Sequence, residues 1–395
     1  MKEIKFKGHS DELLSARLDV PSGKINSYAI FAHCFTCSKD LYAADKVSQK
    51  LAKYGIGVLR FDFTGLGKSE GEFGNTNFSS NVEDLIKAQE FLNSNYQPAT
   101  LMVGHSLGGA ATLAAATKLN DIKAVVTIGA PSNVANIQRH FSDVDIIKEK
   151  GEAEIKIAGR KFNVKKQFLD DIDHTKLLEI IKKLNKPVLI MHSPIDEIVG
   201  IENAKNLYDA LPHPKSFVSL DKADHLITKT KDADYISSII AAWSSNYLDK
   251  PEVLYTLNDE VQVQENKLGS WGQNILNGKH YLLADEPKKI GGLDLGPTPY
   301  GYLIASLGAC TSMTIRYYAN NKKYPLNDVK VTLKHEKIHC DDTKKDQKID
   351  QITREIFIDG DLSEEQKKDL VRVADKCPVH KTLKSDLKIL TKLKS

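Results

Sequence analysis

At 395 residues the chain is long for one domain, and two are expected. Its 41% hydrophobic and 27% charged content is that of an ordinary globular protein, and no apolar run of about 18 residues is present to span a bilayer. A net charge of +3, with lysines interleaved among acids as in "EEQKKD" and "DDTKKDQKID", excludes a basic footprint for nucleic acid.

The start, "MKEIKFKGHS", has neither an apolar segment nor a small-residue cleavage site. It reads as a first strand, and cytoplasmic residence is expected. Hydrophobic runs then alternate with helical patterns up to residue 248. The strands are "SYAIFAH", "GVLRFDF", "ATLMVGH", "KAVVTIGA", "KPVLIMH" and "KSFVSLD". The helices are "YAADKVSQKLAKYG", "SNVEDLIKAQEFLNS", "LGGAATLAAATKLN", "IENAKNLYDAL" and "DADYISSIIAAWSSNYL". Short Val/Ile-rich strands separated by amphipathic helices predict an α/β fold, a doubly wound, mostly parallel sheet covered on both faces. The rhythm breaks over residues 131–186, a charged segment read as a short lid. A first domain over residues 1–250 follows.

Beyond Pro251 the alternation stops. Strands "EVQVQEN" and "HYLLADE" lead to the long apolar helix "YGYLIASLGACTSMTIRYYANN", which must be largely enclosed if apolar nearly all round. Two strands follow, "VKVTLKHEKIH" and "QITREIFIDG". The helix "LSEEQKKDLVRVADK" comes next, with Ser363 as N-cap and Gln366 closing a capping box. Residues 255–395 are therefore expected to form a separate α+β domain.

Five cysteines make a small, odd set for this length. Structural disulfides are not expected, and reduced or catalytic thiols are favoured. The pair Cys34 and Cys37 in "FAHCFTCSKD" is read first as structural thiols, then as a redox-sensitive pair, and least as a metal site. Cys340 has no assigned role.

"VGHSLGG" follows a strand and opens a helix. Gly104-x-Ser106-x-Gly108 there is a nucleophile elbow. The glycines are needed because side chains at those positions would strike the neighbouring backbone. A serine nucleophile requires a base and an orienting acid further along the chain. Asp196 in "SPIDEIV" and His225 in "KADHLIT" each lie just past a strand, at the sheet edge where sites form. Asp221 and Asp224 are rival acids, but they sit too near His225 to face its Nδ1.

These residues resemble the α/β-hydrolase family in its small-lid esterase branch. "RFDFTGLGKSEGEF" is similar to that family's R-x-D-x-x-G-x-G-x-S turn, with Lys68 where a histidine is usual. Asp62 within it is read as a turn-stabilising carboxylate. The resemblance implies an oxyanion hole from the backbone N–H groups of Phe35 and Leu107, with Cys34 replacing the family's glycine. It implies no cofactor. A small or aromatic acyl ester is the expected substrate, with a thioesterase or acyltransferase as the alternative.

"DLGPTPYGYLIASLGACTSMT" and "ADKCPVHKTL" resemble the OsmC/Ohr family. That resemblance implies a homodimer, a peroxidatic Cys310, a resolving Cys377, an organic hydroperoxide as substrate and a thiol reductant. No arginine occurs between Pro251 and Ile290, and Tyr300-Gly301 stands where the family has a glutamate. Arg354 or Arg316 would have to supply the missing cation. The alternative is a non-catalytic dimerisation module.

Overall fold

The structure is a computed structural model of the single chain. It describes residues 2–21, 23–141, 144–157, 160–249, 260–266, 268–339 and 348–393. Two compact units emerge, Met1–Gly269 with Asn274–Leu282, and Ser270–Gln273 with Leu283–Ser395. The segment expected to join the domains, residues 251–254, lies outside the described residues, as does Cys340.

The first unit runs β1 (Lys2–Lys7), β2 (Leu13–Asp19), β3 (Ser27–Ala32), α1 (Tyr42–Lys53), β4 (Ile56–Phe61), α2 (Phe78–Asn95), β5 (Ala99–His105), α3 (Leu107–Ala116) and β6 (Ala124–Ile128). The lid follows. It holds a 3-10 turn (Val134–His140), α4 (Val144–Lys150), a hairpin of β7 (Glu152–Ile157) and β8 (Arg160–Lys165), α5 (Lys166–His174) and α6 (Leu177–Ile181). The unit continues with β9 (Val188–His192), α7 (Glu202–Ala210), β10 (Lys215–Ser219) and α8 (Thr230–Ser244).

Eight strands form one sheet in the order β1-β2-β4-β3-β5-β6-β9-β10. From β4 to β10 all neighbours are parallel, and β1 and β2 add an antiparallel edge. Strands β3, β4, β6 and β9 are buried at every position, as continuous apolar runs covered on both faces must be. One core layer carries Leu85 and Leu92 of α2 and Leu113 of α3. The other carries Val47 and Leu51 of α1 and Ile236 and Ile240 of α8. The doubly wound architecture agrees with the expectation.

Register places the site. Ala32 pairs with Gly104, Gly104 with Thr127, Thr127 with Ile190 and Ile190 with Phe217. The segments leaving β3, β5, β6, β9 and β10 therefore emerge side by side at one edge. Residues far apart in sequence meet there because each follows a parallel strand by a few positions.

The remaining elements are β11 (Val261–Glu265), β12 (Gln273–Asn277), β13 (His280–Ala284), α9 (Pro299–Lys322), β14 (Leu326–His339), β15 (Lys348–Gly360), α10 (Glu364–Ala374) and α11 (Pro378–Lys384). Strands β11, β12 and β13 form a three-stranded sheet, and β14 and β15 an antiparallel hairpin. A small core of Ile315, Ala319, Leu326, Leu362, Leu370 and Ala374 joins α9 to the hairpin and α10. Ser363 and Gln366 form the expected capping box at the start of α10.

One expectation for this unit needs correction. Helix α9 is not enclosed: only Leu307, Gly308, Thr311, Ile315 and Ala319 are buried, while Met313 is 71% and Tyr317 70% exposed. Cys310 is accordingly only half-buried. Within the single chain, the hairpin and α10 cover one side of the helix.

No helix among the described residues is long and apolar enough to cross a membrane.

Candidate active site

Strand β5 ends at His105, and α3 begins at Leu107. Ser106 makes the turn between them at φ 55°, a left-handed conformation that a non-glycine residue adopts only under constraint. Its N–H donates to the carbonyl of Ile128 at 2.9 Å, which anchors the turn to β6. A Cβ on Gly104 would lie 2.5 Å from the carbonyl oxygen of Gly108, and one on Gly108 would lie 2.3 Å from that of His33. Both glycines are thus spatial necessities, and Gly108 lets the start of α3 close on the loop after β3.

Ser106 Oγ lies 3.1 Å from His225 Nε2, and His225 Nδ1 lies 2.7 Å from Asp196 Oδ2. An ionised carboxylate can only accept, so Nδ1 carries the proton and Nε2 accepts from the serine hydroxyl. Burial disfavours the charge on Asp196. Hydrogen bonds from His225 and from the backbone N–H groups of Val199 and Ile198 outweigh it and hold the carboxyl below its ordinary range. The rival acids are occupied elsewhere: Asp224 accepts from Thr228 at 2.6 Å, and Asp221 accepts from the Ser219 hydroxyl at 2.8 Å. Asp62 accepts from the Lys68 N–H at 2.9 Å inside its own turn and from the Lys39 ammonium of the β3 loop at 2.7 Å.

Two histidines that the sequence reading did not single out brace this relay. His105 donates from Nε2 to the carbonyl of His225 at 2.7 Å, and His192 donates from Nε2 to that of Val199 at 2.7 Å. Burial is the main force lowering both pKa values, His105 to about 3, so both rings stay neutral donors. Each is the last residue of an apolar strand, "LMVGH" and "VLIMH", and that placement was the available signal.

The loop after β3 carries a correction. Cys34 and Cys37 are joined in a disulfide, where thiols were expected. The physical cause is a tight turn: Cys37 N–H donates to the Cys34 carbonyl, and the two Cα atoms are 5.4 Å apart, within bridging distance. The same carbonyl accepts from His33 Nδ1 at 2.8 Å. In a trans peptide the C=O and the following N–H point in opposite directions. Fixing the carbonyl of Cys34 therefore aims the N–H of Phe35. Neither that N–H nor the N–H of Leu107 donates to another group among the described residues.

Phe35, Leu107, Ser106 and His225 all line one cavity of about 840 Å³. The lid closes over it, with Phe141 stacked 6.1 Å and Phe168 tilted 5.3 Å from the Phe35 ring. Its wall is largely apolar, with Leu41, Pro131, Ile137, Ile198 and Leu226 among the lining residues. The chemistry available is attack by a serine oxygen, with a base at Nε2 and two unengaged N–H donors beside it.

In the second unit the structure brings Cys310 and Cys377 close enough for each thiol to shift the ionisation of the other. Burial, and then the neighbouring thiol, push Cys310 up. Burial opposes ionisation of Cys377 as well, but hydrogen bonds from Cys310 and from the His380 and Val379 N–H groups lower it overall. Arg354 donates to Thr311 Oγ1 at 2.9 Å and the Ala374 carbonyl at 3.2 Å, and pairs with Asp375 at 2.6 Å. It is therefore held by Thr311, next to Cys310, and by Ala374 and Asp375, three and two residues before Cys377. Arg316 is instead spent on the carbonyls of Leu326 and Asn327.

Comparison with known proteins agrees with this two-part geometry. The family model "Serine aminopeptidase, S33" matches residues 27–146, and that of OsmC-like proteins matches residues 291–392. The crystal structure of an esterase domain from a Rhodothermus marinus protein is 44% identical, covers 63% of this chain and 99% of its own, and superposes with a TM-score of 0.53. Est1E from Butyrivibrio proteoclasticus, solved with ferulic acid bound, shares the fold at 21% identity and TM-score 0.54, covering 62% of this chain and 98% of its own. Among curated proteins, the mitochondrial palmitoyl-protein thioesterase ABHD10 of Mus musculus is 27% identical over 186 residues, 45% of this chain and 62% of the relative. The Homo sapiens protein is 26% identical over 188 residues, 45% of this chain and 60% of the relative. The chain thus spans less than two thirds of the length of these curated relatives.

Proposed function

Because the chain belongs to the α/β-hydrolase family in its first unit and carries an OsmC-like domain after it, we propose a serine hydrolase of carboxylic esters joined to a thiol-dependent hydroperoxide reductase. The observation that carries the first half is the Ser106–His225–Asp196 relay opening onto a cavity beside two unengaged N–H groups. His225 Nε2 takes the Ser106 proton as Oγ attacks the carbonyl carbon. The N–H groups of Phe35 and Leu107 receive the developing oxyanion. Asp196 holds the Nδ1–H tautomer and stabilises the imidazolium. The imidazolium then protonates the leaving alcohol, and water, activated by the same histidine, releases the acid.

Small or aromatic acyl esters suit the short lid and the aromatic wall around Phe35. A thioester is the second reading, favoured by the thioesterase name that the curated relatives carry. A fluorophosphonate probe tests the nucleophile. Mass spectrometry should find it on Ser106, and labelling of another residue would overturn the assignment.

For the second half, Cys310 is the half-exposed thiol and Cys377 the buried one, so a peroxide reaches Cys310. Its thiolate attacks the peroxide oxygen, the alcohol leaves, and Cys310 becomes a sulfenic acid. Cys377 then attacks that sulfur, water leaves, and an external thiol reduces the resulting disulfide. Arg354 is the candidate cation, but its pairing with Asp375 leaves the Cys310 thiol pushed up. The proton distribution favours charge on Cys377, so turnover is slow at neutral pH. Cys310→Ser should abolish consumption of cumene hydroperoxide. Consumption that is absent from the wild type at every pH would leave this domain as a dimerisation module. A homodimer in the cytoplasm, reduced by cellular thiols, completes the proposal.

A further inference from the structure

The cavity above Ser106 is mostly apolar, yet two cations of the lid reach its wall. Arg139 comes from the 3-10 turn Val134–His140, and Lys156 from β7. Neither side chain has an ion pair or hydrogen bond among the described residues. The contrast with the neighbouring strand is direct. Lys161 on β8 faces Lys156 across the hairpin, and it is neutralised by Glu154 at 2.6 Å.

The acids on the same wall do not cancel this charge. Asp40 is engaged by Arg17 at 2.8 Å, Arg60 at 3.3 Å and Lys39 at 3.5 Å. Glu202, the one acid without an ion pair, accepts from its neighbour Asn203 at 3.4 Å. Two unengaged positive charges thus face one carboxylate across a low-dielectric mouth, where field lines concentrate. An arginine and a lysine lining one cavity suit a carboxylate or phosphate oxygen group.

We infer that the hydrolase acts on anionic esters or thioesters, whose charged end is held under the lid by Arg139 and Lys156 while Ser106 attacks the carbonyl. This rests on the serine-hydrolase reading and names its substrate class. Both cations are exposed. They act chiefly on capture, through kcat/KM, and their effect is screened by salt.

The test compares matched esters differing by one charge. In one arm the charge is on the acyl half, 4-nitrophenyl hydrogen adipate against 4-nitrophenyl hexanoate. In the other it is on the leaving group, the hexanoyl ester of 4-hydroxybenzoate against phenyl hexanoate. In one of these arms the wild type should favour the anionic ester about tenfold in kcat/KM at low salt, and the preference should collapse at about 0.5 M NaCl. Arg139→Gln with Lys156→Gln should cut the ratio about fivefold, and Glu at both positions should invert it. Should a lid variant fail to fold, the salt dependence of the wild-type ratio decides. Hydrolysis of the neutral esters with no anionic preference in either arm overturns this inference and leaves the hydrolase reading standing. Absence of hydrolysis of all four esters overturns both.

Discussion

His105 sits one residue before Ser106 and holds the carbonyl of His225 at 2.7 Å with its ring N–H. Its pKa is pushed down to about 3, chiefly by burial, from an ordinary value near 6.5. Between those two pH values the unfolded chain binds a proton that the folded chain refuses, so stability falls as pH falls. The slope approaches 1.4 kcal/mol per pH unit, or about 2 kcal/mol for this residue between pH 7 and pH 5. Urea unfolding of wild type and His105→Gln across that range should show a flatter pH dependence in the variant. Parallel dependences would contradict the account. At this scale Ser106, Asp196 and His225 were legible because each follows a strand in the order the chemistry requires. The bracing histidines were not singled out, because their partners are backbone carbonyls delivered by distant loops. The Cys34–Cys37 disulfide was ranked below free thiols because cysteine counting argued against it, and only the tight turn brings the pair together.

At the scale of elements, the parallel strands and their helices were legible from continuous apolar runs. Strand β2 was not, although Leu14, Ala16 and Leu18 point inward at period two. Ser15, Arg17 and the small Ala16 dilute its apolar contrast. The lid hairpin was read only as a charged segment, since Ile155 and Val164 are its buried positions amid charged neighbours. Helix α9 was read correctly in extent and wrongly in burial, because apolar composition does not say whether this chain or another covers a face. Its open side, with Met313 and Tyr317 about seven-tenths exposed, fits a second copy. Sedimentation should give twice the chain mass, and Met313→Glu with Tyr317→Glu should give single chains. A wild type that is monomeric at micromolar concentration would remove the dimer from the proposal.

For the whole molecule, the change from an α/β-hydrolase part to an OsmC-like part was legible because alternating strands and helices give way to a different pattern after Pro251. The residues around that change lie outside those described, and the α/β-hydrolase and OsmC-like parts each carry their own candidate site. Nothing in either sequence pattern names the acyl group, since the cavity wall is assembled from the β3 loop, the lid and the β9 and β10 loops together. On the proposed reading Ser106 is the nucleophile of the first unit. Steady-state hydrolysis of an aryl ester by wild type and Ser106→Ala tests it most directly. In the variant kcat should fall about 10⁶-fold, since members of such a relay act as a unit. Retention of more than about 1% of wild-type activity would contradict it, because the oxyanion donors and binding alone cannot sustain that rate.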